Sequence, residues 1–118
     1  MNELRKIRDE EINLIKFLLE KIDLKATDFE ISEMVDDYEG GKMGSIGLGK
    51  PGAEYAGDLI QAEYEDTDGT DVIITLTKDT DNQLLDLDFW KIDFSKLLQY
   101  PIPEKLVFNK GIAPLSME

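Results

Sequence analysis

The sequence contains no cysteine and no histidine. Without cysteine it cannot form a disulfide, a thiolate nucleophile or a Cys/His zinc site. Without histidine it lacks the commonest general base, so Ser-His-Asp and Cys-His mechanisms are excluded. Any metal site would need oxygen ligands, which are typical of calcium or magnesium. The chain is therefore expected to be non-enzymatic, with no cofactor and no dedicated metal site.

Long apolar runs are also missing, and none approaches the roughly 20 residues of a membrane-spanning helix. The N-terminal stretch MNELRKIRDEE is charged and does not resemble a signal peptide. We therefore expect a cytoplasmic protein that does not associate with membranes. The 118 residues, of which 42% are hydrophobic and 33% charged, suit a single folded domain over 1–118.

Positive charge is scarce in the middle of the chain. Residues 26–94 hold four basic and 18 acidic groups, a balance of −14, whereas residues 1–25 hold six of each sign. Such a body should repel nucleic acid and anionic membranes and attract basic partners at a rate that falls with salt. Solubility alone is the simpler interpretation of the same charge.

An amphipathic helix is predicted over about 9–22, with Asp9 as its N-cap. Its apolar stripe recurs at helical spacing and consists of Leu14, Ile15, Leu18, Leu19 and Ile22. A stripe of this kind is typical of a core-facing surface and not of a ligand site.

From residue 31 the pattern alternates, and five short strands are predicted: 31–38, 42–48, 58–65, 71–77 and 84–90. Turn signals separate them, namely Gly40-Gly41, a loop over 47–57, DTDG at 66–69 and DTDN at 79–82. Because no helical segment lies between the strands, an antiparallel meander over about 31–91 is expected.

After the meander, Ser95 is predicted to cap a short helix over 96–99, which Pro101 and Pro103 would stop. Residues 104–118 are expected to form a tail. The predicted fold class is α+β, with the N-terminal helix packed on the sheet of about five strands and a short C-terminal helix.

The stretch G-S-I-G-L-G-K-P at 44–51 differs from the phosphate-loop pattern G-x-x-x-x-G-K-[ST] only at Pro51. Pro51 supplies neither a hydroxyl for magnesium nor an N–H donor. The following segment, PGAEYAGD, is a poor helix, although a phosphate loop requires one. We therefore expect a strand and tight bend with Gly44 to Ile46 extended, Lys50 exposed and no anion held by the backbone.

The stretch D-T-D-G-T-D at 66–71 superficially resembles a calcium loop. Its spacing is wrong, because the glycine follows Asp68 directly and position 75 is threonine instead of glutamate. A hairpin turn is the preferred interpretation.

On the last predicted strand, Leu85, Leu87 and Phe89 should face the core, leaving Asp86, Asp88 and Trp90 on the other face. These last three are the candidate partner-binding residues, because an indole beside carboxylates can receive an Arg or Lys side chain. A catalytic carboxylate pair was the alternative, but the sequence indicates no substrate cleft. The preferred interpretation of Trp90 is that it is partly buried beneath the C-terminal segment and packs there.

Four stretches occur together in an order that resembles a family of small bacterial proteins of unknown function. They are R-x-x-x-x-E-E-x-x-L-I in the helix, G-G-K-M-G-S-I at 40–46, D-x-D-G-x-x-V at 66–72 and L-D-L-D-F-W-K-I-D-F-S-K-L at 85–97. The family typically shows a GGMGS-type turn and an ELDxWKxDFxPL-type ending. Lys42, Asp86 and Lys96 depart from those patterns, and the resemblance implies no catalytic residues.

These features predict an acidic protein-binding domain that engages a basic protein partner, in its sharpest form an immunity-like or inhibitor protein. The alternative is a small-molecule or divalent-metal binding protein that uses carboxylates and the glycine-rich loop. Self-association through an exposed strand edge is a third option, and the sequence leaves the oligomeric state open.

Overall fold

Three long strands form the centre of the structure: β4 (Tyr55–Glu65), β5 (Asp71–Asp79) and β6 (Leu84–Lys91). The structure is a computed structural model, and it describes residues 4–38 and 43–108. The other elements are β1 (Leu4–Lys6), α1 (Asp9–Lys21), β2 (Met34–Asp37), β3 (Ile46–Gly47) and β7 (Val107–Phe108), with 3-10 turns at Ala26–Asp28 and Pro103–Lys105. The described part of the chain is thus mostly β, with one helix near its N-terminus.

The strands form one seven-stranded sheet in the order β1-β2-β3-β6-β5-β4-β7, and every neighbouring pair is antiparallel. The predicted α+β fold with a five-strand meander is therefore wrong, because the described residues form a mostly β fold with a seven-stranded sheet and one α-helix. β2 pairs with β3, and β4, β5 and β6 follow one another as hairpins, but the chain after β3 passes β6 and β5 before β4 begins. Turn residues mark where a strand ends, but they do not determine which distant strand it pairs with.

The predicted helix is present as α1, but its N-cap is Arg8 and not Asp9. The backbone N–H of Arg8 donates to the Glu11 carboxylate at 2.8 Å, which is one half of a capping box. At the other end Asp23 adopts φ 61°, and the N–H of Leu24 donates to the carbonyl of Leu19 at 2.9 Å. This left-handed closure ends the helix at Lys21.

Arg5 on β1 joins the helix to the sheet. Its guanidinium donates to both oxygens of Glu11 on α1 at 3.0 and 2.7 Å, and to both oxygens of Asp37 on β2 at 2.6 and 2.8 Å. The hydrogen bonds from Arg5 hold the pKa of Asp37 below its usual range. β1 was not predicted, because its sequence LRK is charged and its inward-facing residue is this arginine.

One face of the sheet is covered by α1 and by the chain after β6, including Leu97, Tyr100 and Phe108. The buried residues of this core are Ile7, Leu14, Ile15, Leu18, Leu19, Val35, Met43, Ile46, Leu48, Ala62, Val72, Ile74, Leu76, Leu84, Leu87, Phe89 and Leu106. Leu85 was expected among them, but a register shift opposite Leu76–Lys78 buries Leu84 instead and leaves Leu85 half-buried.

The predicted helix over 96–99 is absent. The ammonium group of the buried Lys91 instead donates a hydrogen bond to the Lys96 carbonyl at 3.0 Å. The N–H groups of Leu98 and Gln99 donate to the buried carboxylate of Asp66 at 2.9 and 3.0 Å. The Lys96 carbonyl and the Gln99 N–H, which a helix capped by Ser95 would use for its own hydrogen bonds, are therefore occupied by Lys91 and Asp66, a pairing that sequence spacing does not reveal.

The tail predicted over 104–118 also differs from the structure where it is described. Val107 and Phe108 form β7, which pairs with Ala62 and Glu63 on the edge of β4. The remainder of that tail, and the predicted turn at Gly40-Gly41, lie outside the described residues.

Candidate functional site

The face of the sheet opposite α1 carries the three residues selected from the sequence. Leu87 and Phe89 are buried in the core, whereas Asp88 and Trp90 are exposed and Asp86 is half-buried on the open side. Cross-strand pairing places Thr75 opposite Asp88 and Ile73 opposite Trp90. The alternation predicted for β6 therefore brings Asp86, Asp88 and Trp90 to one surface.

These three residues line a shallow pocket of about 360 Å³ on the open face. The other lining residues come from β4 and β5 and are Tyr55, Asp58, Gln61, Ile73, Thr75 and Thr77. Among the residues that the structure describes, the lining contains three carboxylates, two large aromatic rings and no lysine or arginine. We call this the acidic pocket.

Each carboxylate of the acidic pocket lies within hydrogen-bonding distance of a hydroxyl group, although the Ser45 hydroxyl is equally close, at 3.1 Å, to the Phe89 carbonyl. Tyr38 donates to Asp86 at 2.5 Å, Tyr55 donates to Asp58 at 2.6 Å, and Ser45 lies within hydrogen-bonding distance of Asp88 at 3.1 Å. In all three the accepting atom is Oδ1. The hydroxyl groups hold the carboxylates in defined orientations without neutralising them.

Tyr38 remains a proton donor over the physiological range. Burial, and then the hydrogen bond to Asp86, raise the pKa of Tyr38 well above its usual value. Its ring lies directly over Gly47, where an added Cβ would be 2.5 Å from the hydroxyl oxygen and 2.9 Å from Cζ. Glycine at 47 is therefore what allows this tyrosine to reach β6.

Trp90 is 45% exposed at the end of the pocket, so the described part of the C-terminal segment leaves nearly half of its surface open. Its ring centroid lies 6.4 Å from that of Phe94, which is 62% exposed. Phe94 has φ 63°, an unfavourable conformation for an aromatic residue, and its N–H donates to the Lys91 carbonyl at 2.8 Å. The turn after β6 thus displays a second aromatic ring beside Trp90.

The acidic stretch at 66–71 forms the hairpin turn after β4. Two of its carboxylates form ion pairs with a lysine of the chain. Lys91 Nζ lies 3.0 Å from Asp66 and 2.8 Å from Asp68, and the side chains of Lys91 and Asp66 have no exposed surface. Gly69 has φ 83° and closes the turn by donating to the Asp66 carbonyl at 2.9 Å. The first two of the three carboxylates in the calcium-like stretch therefore pair with the chain's own ammonium group.

The glycine-rich stretch does not have the geometry of a phosphate loop. The N–H groups of Leu48 and Gly49 both donate to the Leu85 carbonyl, at 2.7 and 3.1 Å, so they extend the sheet. Gly44 was expected to be extended, but it has φ 95° because Leu97 and Phe89 pack closely against it and a bend is needed. Lys50 is exposed as predicted, and its nearest acid, Glu30, is 3.8 Å away.

A second concavity, of about 820 Å³, lies beside this stretch, and we call it the glycine-loop groove. Its walls are Leu4, Glu30, Ile31, Ser32, Met34, Asp36, Tyr38, Gly47, Leu48, Gly49, Lys50, Pro51, Ala53 and Leu85. Tyr38 lines the groove and donates to Asp86 of the acidic pocket, so this one side chain joins the two concavities.

Among residues 4–38 and 43–108, no three acidic side chains are grouped so that they could hold a metal ion. No helix in these same ranges is long and apolar enough to cross a membrane.

Sequence reasoning missed Tyr55, Asp58 and Gln61 of the pocket lining. It also missed Tyr38 and Ser45, whose hydroxyl groups lie beside the carboxylates of Asp86 and Asp88. Asp58 is a polar residue on a predicted strand, but the face of the sheet on which it lies depends on a register shift between Asp58 and Ile60. Tyr38 and Ser45 reach β6 through the two-residue strand β3, for which the sequence carries no recognisable pairing signal.

A family model described as a domain of unknown function, DUF6984, matches residues 4–101. No curated protein and no solved structure matches the chain.

Proposed function

We propose that this chain, which belongs to the DUF6984 family, is a non-enzymatic domain that binds a basic protein surface through its acidic pocket. The observation that carries the proposal is the pocket itself. Three carboxylates within hydrogen-bonding distance of hydroxyl groups lie beside a half-exposed indole, and no lysine or arginine is among the described residues that line the cavity.

Electrostatics favour a cationic partner over other classes. The formal net charge is −13, so long-range attraction should accelerate the encounter with a basic protein. Within the pocket, a cation gains from the carboxylates and from the face of Trp90, an interaction of about 0.5–2 kcal/mol. We further propose a cytoplasmic bacterial protein of immunity-like or inhibitor type, for which charge and size are the only support.

The test separates the pocket from the overall charge. A synthetic peptide of alternating arginine and glycine is titrated into the protein at about 50 and about 300 mM salt, where screening differs strongly. The pocket variant is Asp86→Lys with Asp88→Lys. The control, Glu20→Lys with Glu104→Lys, changes the net charge equally at exposed positions outside the pocket lining.

We expect the pocket variant to lose at least about tenfold in affinity, equivalent to about 1.4 kcal/mol, and the control to lose much less. Equal losses in both variants would mean that only net charge matters, and tight binding that ignores salt and both variants would reject the proposal. The immunity-like form requires in addition that the protein relieves the toxicity of a basic toxin encoded beside it.

A second candidate, binding of a small molecule, is favoured by the glycine-loop groove. Its volume of about 820 Å³ falls within the range of ligand pockets, and apolar side chains such as Leu4, Ile31 and Leu85 line much of it. Thermal shifts are measured with calcium, magnesium, magnesium–ATP and a set of apolar fragments. A shift that Ala53→Phe abolishes by filling the groove would support this function, whereas the absence of any shift would argue against it.

A further inference from the structure

Three residues other than glycine have a positive φ in the described part of the chain. Asp23 and Asn82 are short polar residues that tolerate the left-handed conformation, whereas Phe94, with φ 63°, is a bulky aromatic residue. Asn82 and Phe94 lie in the turns before and after β6, so the same φ is met once by a suitable residue and once by an unsuitable one. The phenylalanine at 94 therefore needs an explanation other than the geometry of its turn.

Burial in the core does not provide this explanation. Phe94 is 62% exposed, and its ring centroid lies 6.4 Å from that of Trp90, which is itself 45% exposed. Ile92, in the same turn, is 46% exposed. Large apolar side chains that are grouped on a surface in this way are typical of an interaction site.

Hydrogen bonds fix the turn that carries these side chains. The N–H of Phe94 donates to the Lys91 carbonyl at 2.8 Å, and the N–H of Ile92 donates to the Asp71 carbonyl at 3.1 Å. The buried ammonium of Lys91 donates to the Lys96 carbonyl at 3.0 Å and so holds the chain that follows the turn. An aromatic surface that is fixed before binding loses less conformational entropy when a partner covers it.

Exposed carboxylates lie beside the two rings. Asp93 stands between Ile92 and Phe94 in the sequence, and Asp71 at the start of β5 is adjacent to the same turn. Ser95 donates hydrogen bonds to Asp93, which orient this carboxylate without neutralising it. A complementary surface therefore has an apolar side chain at its centre and cations at its rim.

A second copy of this chain does not have that complementary surface. In a twofold contact the same patch faces itself, so Asp71 and Asp93 of the two copies would meet across the interface. Like charges that face each other disfavour such a contact, and each copy carries a formal net charge of −13. The patch thus favours a different protein of positive charge.

We propose that Trp90 and Phe94 form an anchor site for the basic partner, and that they receive an apolar side chain which lysine or arginine residues flank on the partner. Binding, and not folding, then explains an aromatic residue at a position where the turn favours asparagine or glycine. This inference rests on the proposed function, because it specifies the central contact that the basic partner makes.

Two short peptides of alternating arginine and glycine test the anchor site. One has leucine at its centre and the other has serine, so the two carry the same charge. Trp90 is the only tryptophan of the chain, and its fluorescence therefore reports on this site. We expect the leucine peptide to perturb Trp90 and to bind at least about fivefold more tightly than the serine peptide.

The test variant is Phe94→Asn, which should abolish the preference for leucine. Its melting temperature should be no lower than that of the wild type, because asparagine suits the left-handed turn. The matched control is Asn82→Phe, which places an aromatic residue at a φ of 61° in the turn before β6. It should lower the melting temperature by about 2–5 °C and leave the preference for leucine unchanged.

Three results would overturn the inference. A marked fall in the melting temperature of Phe94→Asn would give Phe94 a structural role. Equal affinities for the two peptides would show that no apolar side chain is received. Self-association of the wild type that Phe94→Asn abolishes would identify a second copy as the occupant.

The two proposals fail in different ways. If Asp86→Lys with Asp88→Lys weakens the binding of both peptides but Phe94→Asn leaves the preference for leucine intact, the protein-binding function stands and the anchor inference is wrong. If Phe94→Asn abolishes the preference while the pocket variant loses no more affinity than Glu20→Lys with Glu104→Lys, the anchor site exists and binding through the acidic pocket is rejected.

Discussion

The ammonium group of Lys91 lies 3.0 Å from a carboxylate oxygen of Asp66, and neither side chain has any exposed surface. Lys91 also donates to Asp68 and to the Lys96 carbonyl, while Asp66 also accepts from the backbone of Leu98. This cluster fastens the chain after β6 to the turn between β4 and β5. The turn after β6 carries Phe94, whose ring lies beside Trp90. The position of this turn depends on the cluster around Lys91.

Replacing Lys91 by methionine should destabilise the protein severely. The buried carboxylate of Asp66 would lose its counter-charge, and breaking one partner of a buried pair is much more costly than removing both. We expect the melting temperature to fall by roughly 10 °C or more. Lys96→Met is the control, because only its backbone carbonyl takes part, and it should shift the melting temperature by less than about 2 °C.

If Lys91→Met does not fold, Asp68→Asn provides a milder variant, because the Asp68 side chain is 35% exposed. It should lower the melting temperature by less than Lys91→Met would. Unchanged melting in both variants would show that the cluster does not hold the C-terminal segment.

The same cluster predicts how stability depends on pH. Burial raises the pKa of Asp66, but the N–H of Leu98 and the Lys91 ammonium outweigh it, so its pKa is lowered. The hydrogen bond from Lys91 likewise lowers the pKa of Asp68. Carboxylates with a lowered folded-state pKa contribute stability above their unfolded pKa of about 4, and this stability is lost as the pH falls through the folded value.

Lys91 has the opposite dependence. Burial lowers its pKa, but the hydrogen bonds from its ammonium to Asp68 and Asp66 outweigh this and the net shift is upward. Its contribution is complete below the unfolded pKa of about 10.4 and is lost as the pH rises through the folded value. The urea midpoints of the wild type and Lys91→Met should differ by a constant amount from about pH 5 to 9, and the difference should shrink outside that range. A difference that grows below pH 4 would contradict the assignment.

Local patterns predicted the central strands and the composition of the candidate surface. β5 combines β-branched residues with Gly and Asn turns, and the period of two on β6 placed Asp88 and Trp90 on one face. β1, β3 and β7 were missed or misplaced because they have only two or three residues, and their pairing is decided by distant partners. Tyr38 could not be assigned to the site for the same reason.

The contact between Gly47 and Tyr38 leads to a third prediction. An added Cβ at 47 would lie 2.5 Å from the tyrosine hydroxyl, so the ring must move away from Asp86. We expect Gly47→Ala to reduce the free energy of unfolding by about 1–3 kcal/mol. Chemical denaturation of the variant in the wild-type and Tyr38→Ala backgrounds forms a double-mutant cycle. If Gly47→Ala costs the same in both backgrounds, the tyrosine is not the cause.

The C-terminus of α1 offers a stabilising substitution. Asp23 has φ 61° in the position where helices prefer glycine, and its negative charge lies at the negative end of the helix dipole. Asp23→Gly removes both penalties but increases the entropy of the unfolded chain, so a net gain of about 0.5 kcal/mol is expected. The control is Asp28→Gly, because Asp28 accepts a hydrogen bond from the N–H of Lys25 at 3.1 Å and has no positive φ to relieve. Denaturant midpoints should therefore rise for Asp23→Gly and fall for Asp28→Gly, and a fall in both would show that the left-handed turn at Asp23 carries no strain.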